Sequence, residues 1–291
     1  MPASGSPATC WLRPRSAEIT ISAMAERRTA DADDGLANLS IDPDVLAREL
    51  AAELLGDPLD DIDVEDLEDD ALHIARECDE GLLWLAEGHE QRLQGLRVFC
   101  EHRDPRAVPL LLPLLREACP VVRMSAVYAL GRNPSPLAVA SLLQLLEVDS
   151  NAYVRKAAAW SLGNYPDAPV LNPLIRSLQV DVASVRLWAS VSLAEAGITS
   201  PAKADLAAGQ LLISLRIDSE PVVRSNCIWA LGRLVDQLVE PRRADVVEAL
   251  VNALLHDQET SVRDEARMAL EQLENPDILE RLQTLVDEGL L

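Results

Sequence analysis

The chain has few aromatic residues and no long apolar run. Phe, Tyr and Trp together make up 3% of its 291 residues, and the apolar share of 48% is carried mainly by Leu and Ala. Because strands favour aromatic and β-branched side chains, this composition argues against a β-sandwich or barrel and favours packed helices. No stretch approaches the roughly 18 apolar residues that a membrane-spanning helix needs, so no span is expected.

Basic charge is also scarce. Lys and Arg number 26 against 48 Asp and Glu, which gives a formal net charge of −22. Binding to nucleic acid needs a basic stripe that neutralises phosphates, so nucleic acid is not expected as a partner. An anionic membrane surface is disfavoured for the same reason.

Cysteine pairs and catalytic motifs are missing too. The five Cys are odd in number and none has CxxC spacing, which favours reduced thiols in a cytoplasmic protein and no metal site. No HExxH, P-loop or GxSxG motif is present, and His89-Glu90 is the only His-Glu pair. The sequence therefore favours a protein that is not an enzyme.

What the chain does contain is a repeated helix signature. Val-Arg is followed six residues after the Arg by a pair of the type Ala-Leu or Ser-Leu, and Gly often comes next. The copies begin at Val122-Arg123, Val154-Arg155, Val185-Arg186, Val223-Arg224 and Val262-Arg263. The Arg residues are 32, 31, 38 and 39 positions apart, and a period of this size indicates a solenoid of stacked units.

The period also predicts how the chain is organised. The repeats occupy residues 89–273, with five clear copies and one degenerate copy that contains Arg92. Residues 274–291 are expected to form a capping helix, because the terminal apolar face of a solenoid must be covered. Each repeat is expected to contain two helices, and the second helix starts at the Val-Arg signature. In this second helix, the small residue three positions after the Arg and the Leu seven positions after it define the buried side.

The residues before the repeats differ in composition. Residues 1–40 are predicted to be a disordered tail, although a transit peptide or a start at Met24 would also fit the four Arg residues near the N-terminus. Residues 41–88 form an acidic helical segment, with a short amphipathic helix over 44–55. Nine of the fourteen residues 57–70 are acidic, which predicts a solvated connector or an electrostatic docking segment.

The repeated Arg is interpreted as a structural feature. Because it recurs with the fold, we expect it to pair with acids in the turns of its own and neighbouring repeats. This structural ladder comprises Arg123, Arg155, Arg186, Arg224 and Arg263.

A second column of residues is the candidate binding site. The position five residues after the Arg is turned about 150° from the buried side and should face the groove of the solenoid. Large apolar residues recur there, which is typical of a surface that binds a partner. With Trp188 on a neighbouring turn and two Arg as polar handles, the predicted partner-binding residues are Tyr128, Trp160, Trp188, Trp229, Met268, Arg132 and Arg233.

These motifs resemble HEAT-like repeats, and the resemblance implies an all-α fold, an α-α superhelical solenoid whose second helices line the concave face. The sequences Ala-Ala-Ala-Trp-Ser-Leu-Gly at 157–163 and Cys-Ile-Trp-Ala-Leu-Gly at 227–232 are similar to the cyanobacterial branch of this family. That branch includes the E/F-type phycobilin lyases and an IscA-interacting HEAT-repeat protein, and the acidic residues 54–62 resemble the latter.

The resemblance implies two functions. The first is a non-catalytic adaptor that holds an IscA-like iron–sulfur carrier in the groove, without a cofactor of its own except a cluster shared with the partner. The second is a phycobilin lyase or chromophore chaperone, which would bind a bilin transiently and act on a phycobiliprotein subunit.

Overall fold

The computed structural model describes residues 64–289, and within that range it contains thirteen α-helices and no strand. The prediction of an all-α solenoid is confirmed. Short 3₁₀ turns precede α3 and α5 and follow α10. The helices are α1 (Val64–Ala86), α2 (His89–Glu101), α3 (Val108–Leu114), α4 (Pro120–Arg132), α5 (Val139–Val148), α6 (Ala152–Leu162), α7 (Leu171–Val180), α8 (Ala183–Gly197), α9 (Pro201–Ile217), α10 (Pro221–Leu234), α11 (Arg242–His256), α12 (Thr260–Gln272) and α13 (Pro276–Asp287).

The chain divides into two compact units, residues 1–76 and 77–291. Of the first unit, the described residues 64–76 are the N-terminal half of α1. The predicted tail 1–40, the predicted helix over 44–55 and the acidic residues 57–63 lie outside the described residues. Residues 64–70, at the end of the acidic stretch, are helical.

The second unit is built from pairs of helices. In each pair the second helix packs against the second helix of the next pair, so that α2, α4, α6, α8, α10 and α12 form one continuous layer. The first helices α5, α7, α9 and α11 form the other layer and contact one another less extensively. Since the second helices approach each other more closely, their layer lies on the inner side of the curve.

The sequence explains both the helix starts and the core. Proline occupies the first helical position of α4, α9, α10 and α13, where its missing N–H costs nothing. The predicted buried positions of the second helices are confirmed, because none of their side chains is exposed. These residues are Ala126, Ala158, Ala189, Cys227 and Ala266 at the small position, and Leu130, Leu162, Leu193, Leu231 and Leu270 four residues later.

Glycine allows a close helix crossing near the start of the second unit. A Cβ on Gly95 of α2 would lie 2.8 Å from the Gly81 carbonyl oxygen of α1 and 2.9 Å from the Leu85 nitrogen. Backbone atoms cannot move aside as a flexible side chain can, so these two helices cross only with glycine at this point. At the other end, α13 packs on α12 and buries Leu282.

None of the helices between residues 64 and 289 is long and apolar enough to cross a membrane.

Candidate functional site

Four of the five ladder arginines bind an aspartate of the following repeat. In each pair Nε and Nη2 of the guanidinium donate to the two carboxylate oxygens at 2.7–2.9 Å, which is the bidentate geometry of a strong charged pair. The side chains on both sides are largely buried. The pairs are Arg123–Asp149, Arg155–Asp181, Arg186–Asp218 and Arg224–Asp257.

Each ladder arginine also contacts the turn of its own repeat, but it binds a backbone oxygen there and not the expected carboxylate. Nη1 of Arg155 donates to the backbone oxygen of Asp149 at 2.8 Å, and Nη1 of Arg224 donates in the same way to Asp218. The carboxylate of the turn is directed to the preceding arginine and to a nearby backbone N–H, as from Asn151 to Asp149. The acid of the same repeat therefore accepts a hydrogen bond through its carbonyl oxygen, while its carboxylate acts on the arginine only by charge at longer range.

The arginines at the two ends of the ladder have different partners. Arg92 in α2 donates to Glu117 in the next turn at 2.9 Å, as expected for a second helix of a degenerate repeat. Arg263 in the last repeat donates instead to the backbone oxygens of Asp257 and Gln258 and to the Thr260 hydroxyl.

The ladder predicts how stability depends on pH. The hydrogen bonds from Arg224 hold the pKa of the Asp257 carboxyl below its usual value. At Asp149, burial raises the pKa, but hydrogen bonds from Arg123 and from the Asn151 N–H outweigh it and the pKa is again lowered. Because these folded-state pKa values lie below the unfolded value of about 3.9, both carboxylates stabilise the fold fully above about pH 5.

As the pH falls from about 5 through the lowered pKa values, that contribution is expected to disappear. The melting temperature should therefore be nearly constant from about pH 7 to pH 5 and fall steeply below about pH 4. Asp257→Asn should melt lower than wild type at neutral pH and lose less on acidification. An equal acid-induced fall in both proteins, measured by circular dichroism, would contradict the role of this carboxylate.

The aromatic column of the second helices is half-buried. The rings of Tyr128 and Trp160 lie on neighbouring helices with centroids 5.3 Å apart and planes tilted by 55°. A Cβ on Gly131 of α4 would overlap the Trp160 ring, so this ring fills the space above the glycine. Trp229 is half-buried, and the Arg233 guanidinium lies 5.6 Å from the centre of its ring.

The other predicted residues of the column differ in how deeply they are buried. Trp188 is half-buried on α8 and Met268 is exposed on α12. Val191, which takes the place of the aromatic residue in α8, is buried. The structure therefore brings Tyr128 and Trp160 into contact and leaves Met268 at the exposed end of the column.

Sequence reasoning missed three exposed residues on the same face. Val121, Tyr153 and Val222 stand two residues before the ladder arginine and are 49%, 65% and 49% exposed. Each is seven residues, close to two helical turns, before the aromatic residue of its helix, so both share one side of that helix. This spacing was readable from the sequence. We name Val121, Tyr128, Tyr153, Trp160, Trp188, Val222 and Trp229 together the groove face.

The two predicted arginine handles already have contacts within the chain. Nε of Arg132 donates to the backbone oxygen of Glu101 at 3.0 Å. Nη2 of Arg233 donates to a carboxylate oxygen of Glu195 at 3.1 Å. Arg233 and Glu195 are partly exposed, and exposed pairs contribute little, so a ligand carboxylate could replace Glu195 at small cost.

Three of the four described thiols, those of Cys78, Cys100 and Cys227, are poorly suited to nucleophilic or metal-binding chemistry. Burial raises the pKa of Cys100 to about 12, and its thiol donates to the Ser125 backbone oxygen at 3.6 Å. Burial also raises the pKa of Cys78 and of Cys227. A protonated thiol is a weak nucleophile and a weak metal ligand at neutral pH. Between residues 70 and 289, no group of three or more His, Cys, Asp or Glu side chains is arranged to hold a metal ion.

Comparison with known proteins identifies the repeat. A family model described as HEAT repeats matches four overlapping stretches, residues 86–163, 109–194, 139–232 and 208–289. A search of the curated proteins gives no significant match.

Solved repeat structures are similar in fold. The designed armadillo repeat protein YIII(Dq)4CqI is 18% identical with a TM-score of 0.50, over 67% of this chain and 99% of its own. A designed armadillo repeat protein in complex with the peptide (KR)4 is 21% identical with a TM-score of 0.51, over 67% and 98%. A chain of the Kap95p–RanGDP structure is 16% identical with a TM-score of 0.54, over 84% of this chain and 36% of its own.

Proposed function

The chain belongs to the HEAT-repeat family, and from that premise we propose that it is a non-catalytic scaffold that holds a protein partner on its groove face. The observation that carries the proposal is the pair of large apolar residues, seven apart, on each of three second helices. These pairs are Val121 with Tyr128, Tyr153 with Trp160, and Val222 with Trp229. Partly exposed aromatic residues in a contiguous patch are the usual anchors of protein interfaces.

The anchors are also pre-organised for binding. The Trp160 ring is held between Tyr128 and Gly131, so a partner would find it already oriented. A fixed side chain loses less rotamer freedom on association, which leaves more of the contact energy for affinity. Solved structures of similar fold include one in complex with the peptide (KR)4 and one of Kap95p with RanGDP, so this arrangement of helices is compatible with peptide and protein ligands.

The partner we propose is an IscA-like iron–sulfur carrier, which the chain would bind in the cytoplasm. This choice rests on the resemblance of residues 54–62 to an IscA-interacting HEAT-repeat protein. Any iron–sulfur cluster would then be carried by the partner, and the groove face would recognise apolar side chains of the carrier. The acidic segment before the repeats would favour a partner with a basic surface.

One observation favours a second candidate, a phycobilin lyase or chromophore chaperone. The Arg233 guanidinium lies over the Trp229 ring and is partly exposed, so it could bind a bilin propionate while the ring stacks on the tetrapyrrole. In this alternative the aromatic residues would bind the chromophore of a phycobiliprotein subunit, and the protein partner would receive it.

Titration calorimetry with purified components tests both candidates. The chain is titrated with an IscA-like carrier, with a phycobiliprotein subunit and with free bilin, and visible absorbance is recorded for each mixture. Binding of the carrier at low micromolar concentration or tighter, without a red-absorbing bilin complex, supports the adaptor. Bilin binding with transfer to the subunit supports the alternative. If neither protein binds in this range, both partner assignments are wrong.

A further inference from the structure

The outward side of α9 carries an apolar stripe on the layer opposite the groove face. Leu206, Ile213 and Ile217 are 49%, 50% and 76% exposed. They are seven and four residues apart, so they lie on one side of the helix. A stripe of this kind is not explained by the packing of the repeats, which needs only the inner side of each first helix.

The inner side of the same helix is fully used by the core. Ala204, Ala207, Ala208 and Leu211 are not exposed at all, and Leu215 is nearly buried. The helix is therefore apolar on both sides. A helix with this pattern is typically covered on both sides, whereas a helix at a protein surface has a polar outer side.

Gly209 lies between Leu206 and Ile213 in the middle of this 17-residue helix. A Cβ at Gly209 would meet only Nη2 of Arg242, at 3.9 Å, so the fold of this chain does not require glycine here. Glycine inside a helix is less stable than alanine, and its usual benefit is close approach of another backbone. Within the described residues no backbone of another helix approaches it and only the Arg242 side chain is near, which leaves room for a helix from outside this part of the chain.

A cleft of about 640 Å³ runs beside the stripe between α7, α9 and α11. Its apolar lining includes Ile175, Leu206 and Ile213, so it can receive apolar side chains from a helix of another molecule.

The charges around the cleft are balanced. Asp205 and Asp245 stand with Arg216 and Arg242, and Nε of Arg242 lies 2.9 Å from an Asp205 oxygen. Most of the excess acid belongs to another part of the sequence, because residues 42–80 hold 16 acids and 2 Arg of a chain whose net charge is −22. A locally neutral apolar stripe with both signs at its edge is self-complementary, and it is a place where two acidic copies can meet without strong repulsion.

We propose that α9 is the contact helix of a symmetric dimer of this chain, in which two copies of α9 cross antiparallel at Gly209. A two-fold axis at this point sets Leu206 of each copy opposite Ile213 of the other, because the two residues are nearly equidistant from Gly209. It also brings Arg216 of one copy towards Asp205 of the other. No described acid lies within ion-pair distance of Arg216 in the single chain, so the dimer supplies one.

The dimer is weak. One helix from each copy buries less than the roughly 1,200 Å² of a standard interface, so we expect a dissociation constant of about 10–100 μM. The groove face lies on the opposite layer and stays free, so each copy could hold its own partner.

Sedimentation velocity of the full chain over a range of concentrations tests the proposal. We expect a monomer–dimer equilibrium for wild type, no dimer for Ile213→Glu, and an unchanged equilibrium for the matched control Leu137→Glu. Leu137 is 72% exposed on the 3₁₀ turn before α5, away from α9. If Ile213→Glu loses its helical circular dichroism, Leu206→Gln takes its place.

Gly209→Ala separates association from folding. The added methyl group should raise the melting temperature of the monomer by about 2 °C, since alanine stabilises a helix and meets nothing in this chain. It should weaken the dimer several-fold, because the methyl group separates the crossing helices. A wild-type chain that stays monomeric up to about 1 mM, or a dimer that Ile213→Glu leaves intact, would overturn the proposal.

Discussion

Replacing Arg224 with Ala is expected to lower the free energy of unfolding by about 3 kcal/mol. The guanidinium makes two hydrogen bonds to Asp257 and one to the Asp218 backbone oxygen, and both side chains of the pair are largely buried. Without Arg224, the buried Asp257 carboxylate would lose both guanidinium hydrogen bonds and would be compensated only by the charge of Arg263 at longer range. A buried charge that has lost its hydrogen-bonded partner costs more than the intact pair contributes, which is why the expected loss is large.

Arg263→Ala is the matched control for this change. Arg263 occupies the same position in its repeat and donates to the Asp257 backbone oxygen, but among the described residues no carboxylate accepts a hydrogen bond from it. Its removal should therefore cost only about 1 kcal/mol, as for ordinary hydrogen bonds. Urea denaturation followed by circular dichroism measures both variants. Equal losses for Arg224→Ala and Arg263→Ala would show that the ion pair between repeats adds nothing to the stability that an arginine gains from hydrogen bonds to its own turn.

The double variant Arg224→Ala with Asp257→Ala identifies the source of the loss. If the cost comes from the unpaired carboxylate, the double variant should lose about 2 kcal/mol less than the two single losses added together. Additive losses would mean that each side chain acts separately, for example through packing of the Arg methylenes.

The repeated pattern predicted the core because burial in a solenoid follows the helical period. Every small residue after the ladder arginine and every Leu four residues later is buried in the structure. Both positions are determined within one helix and one repeat. The same reasoning placed Arg92 in the period, although α2 lacks the Val-Arg signature.

Contacts between repeats were harder to predict. Arg155 pairs with the Asp181 carboxylate, 26 residues away, while the nearer Asp149 accepts a hydrogen bond from it only through the carbonyl oxygen. The choice depends on how far one repeat is displaced against the next, which the sequence period does not specify. The half-burial of Trp160 has a similar cause, because its ring lies over Gly131 of the preceding repeat.

The candidate site was predicted only in part, because the sequence was read one repeat position at a time. The aromatic column was read from a single position of the repeat, so its continuation two turns earlier was overlooked. Tyr153 precedes the Val154-Arg155 signature and was not among the predicted residues, yet it is the most exposed aromatic side chain on the groove face. A search at seven-residue spacing would have found it together with Val121 and Val222.

Replacing Tyr153 with Ala is expected to weaken binding of the protein partner by about 2 kcal/mol, or roughly 30-fold, if the groove face is the binding surface. Because the Tyr153 side chain is 65% exposed, its loss should barely change the melting temperature. Trp229→Ala should weaken binding to a similar extent with a modest loss of stability, since Trp229 packs partly against the core.

Trp160→Ala should behave differently from these two variants. Its ring fills the space over Gly131 and contacts Tyr128, so truncation should lower the free energy of unfolding by about 2 kcal/mol and weaken binding as well. Calorimetric titration with the purified IscA-like carrier, with Leu137→Ala as an exposed control on the opposite layer, measures the binding losses. Unchanged affinity in both Tyr153→Ala and Trp229→Ala would remove the groove face as the binding site.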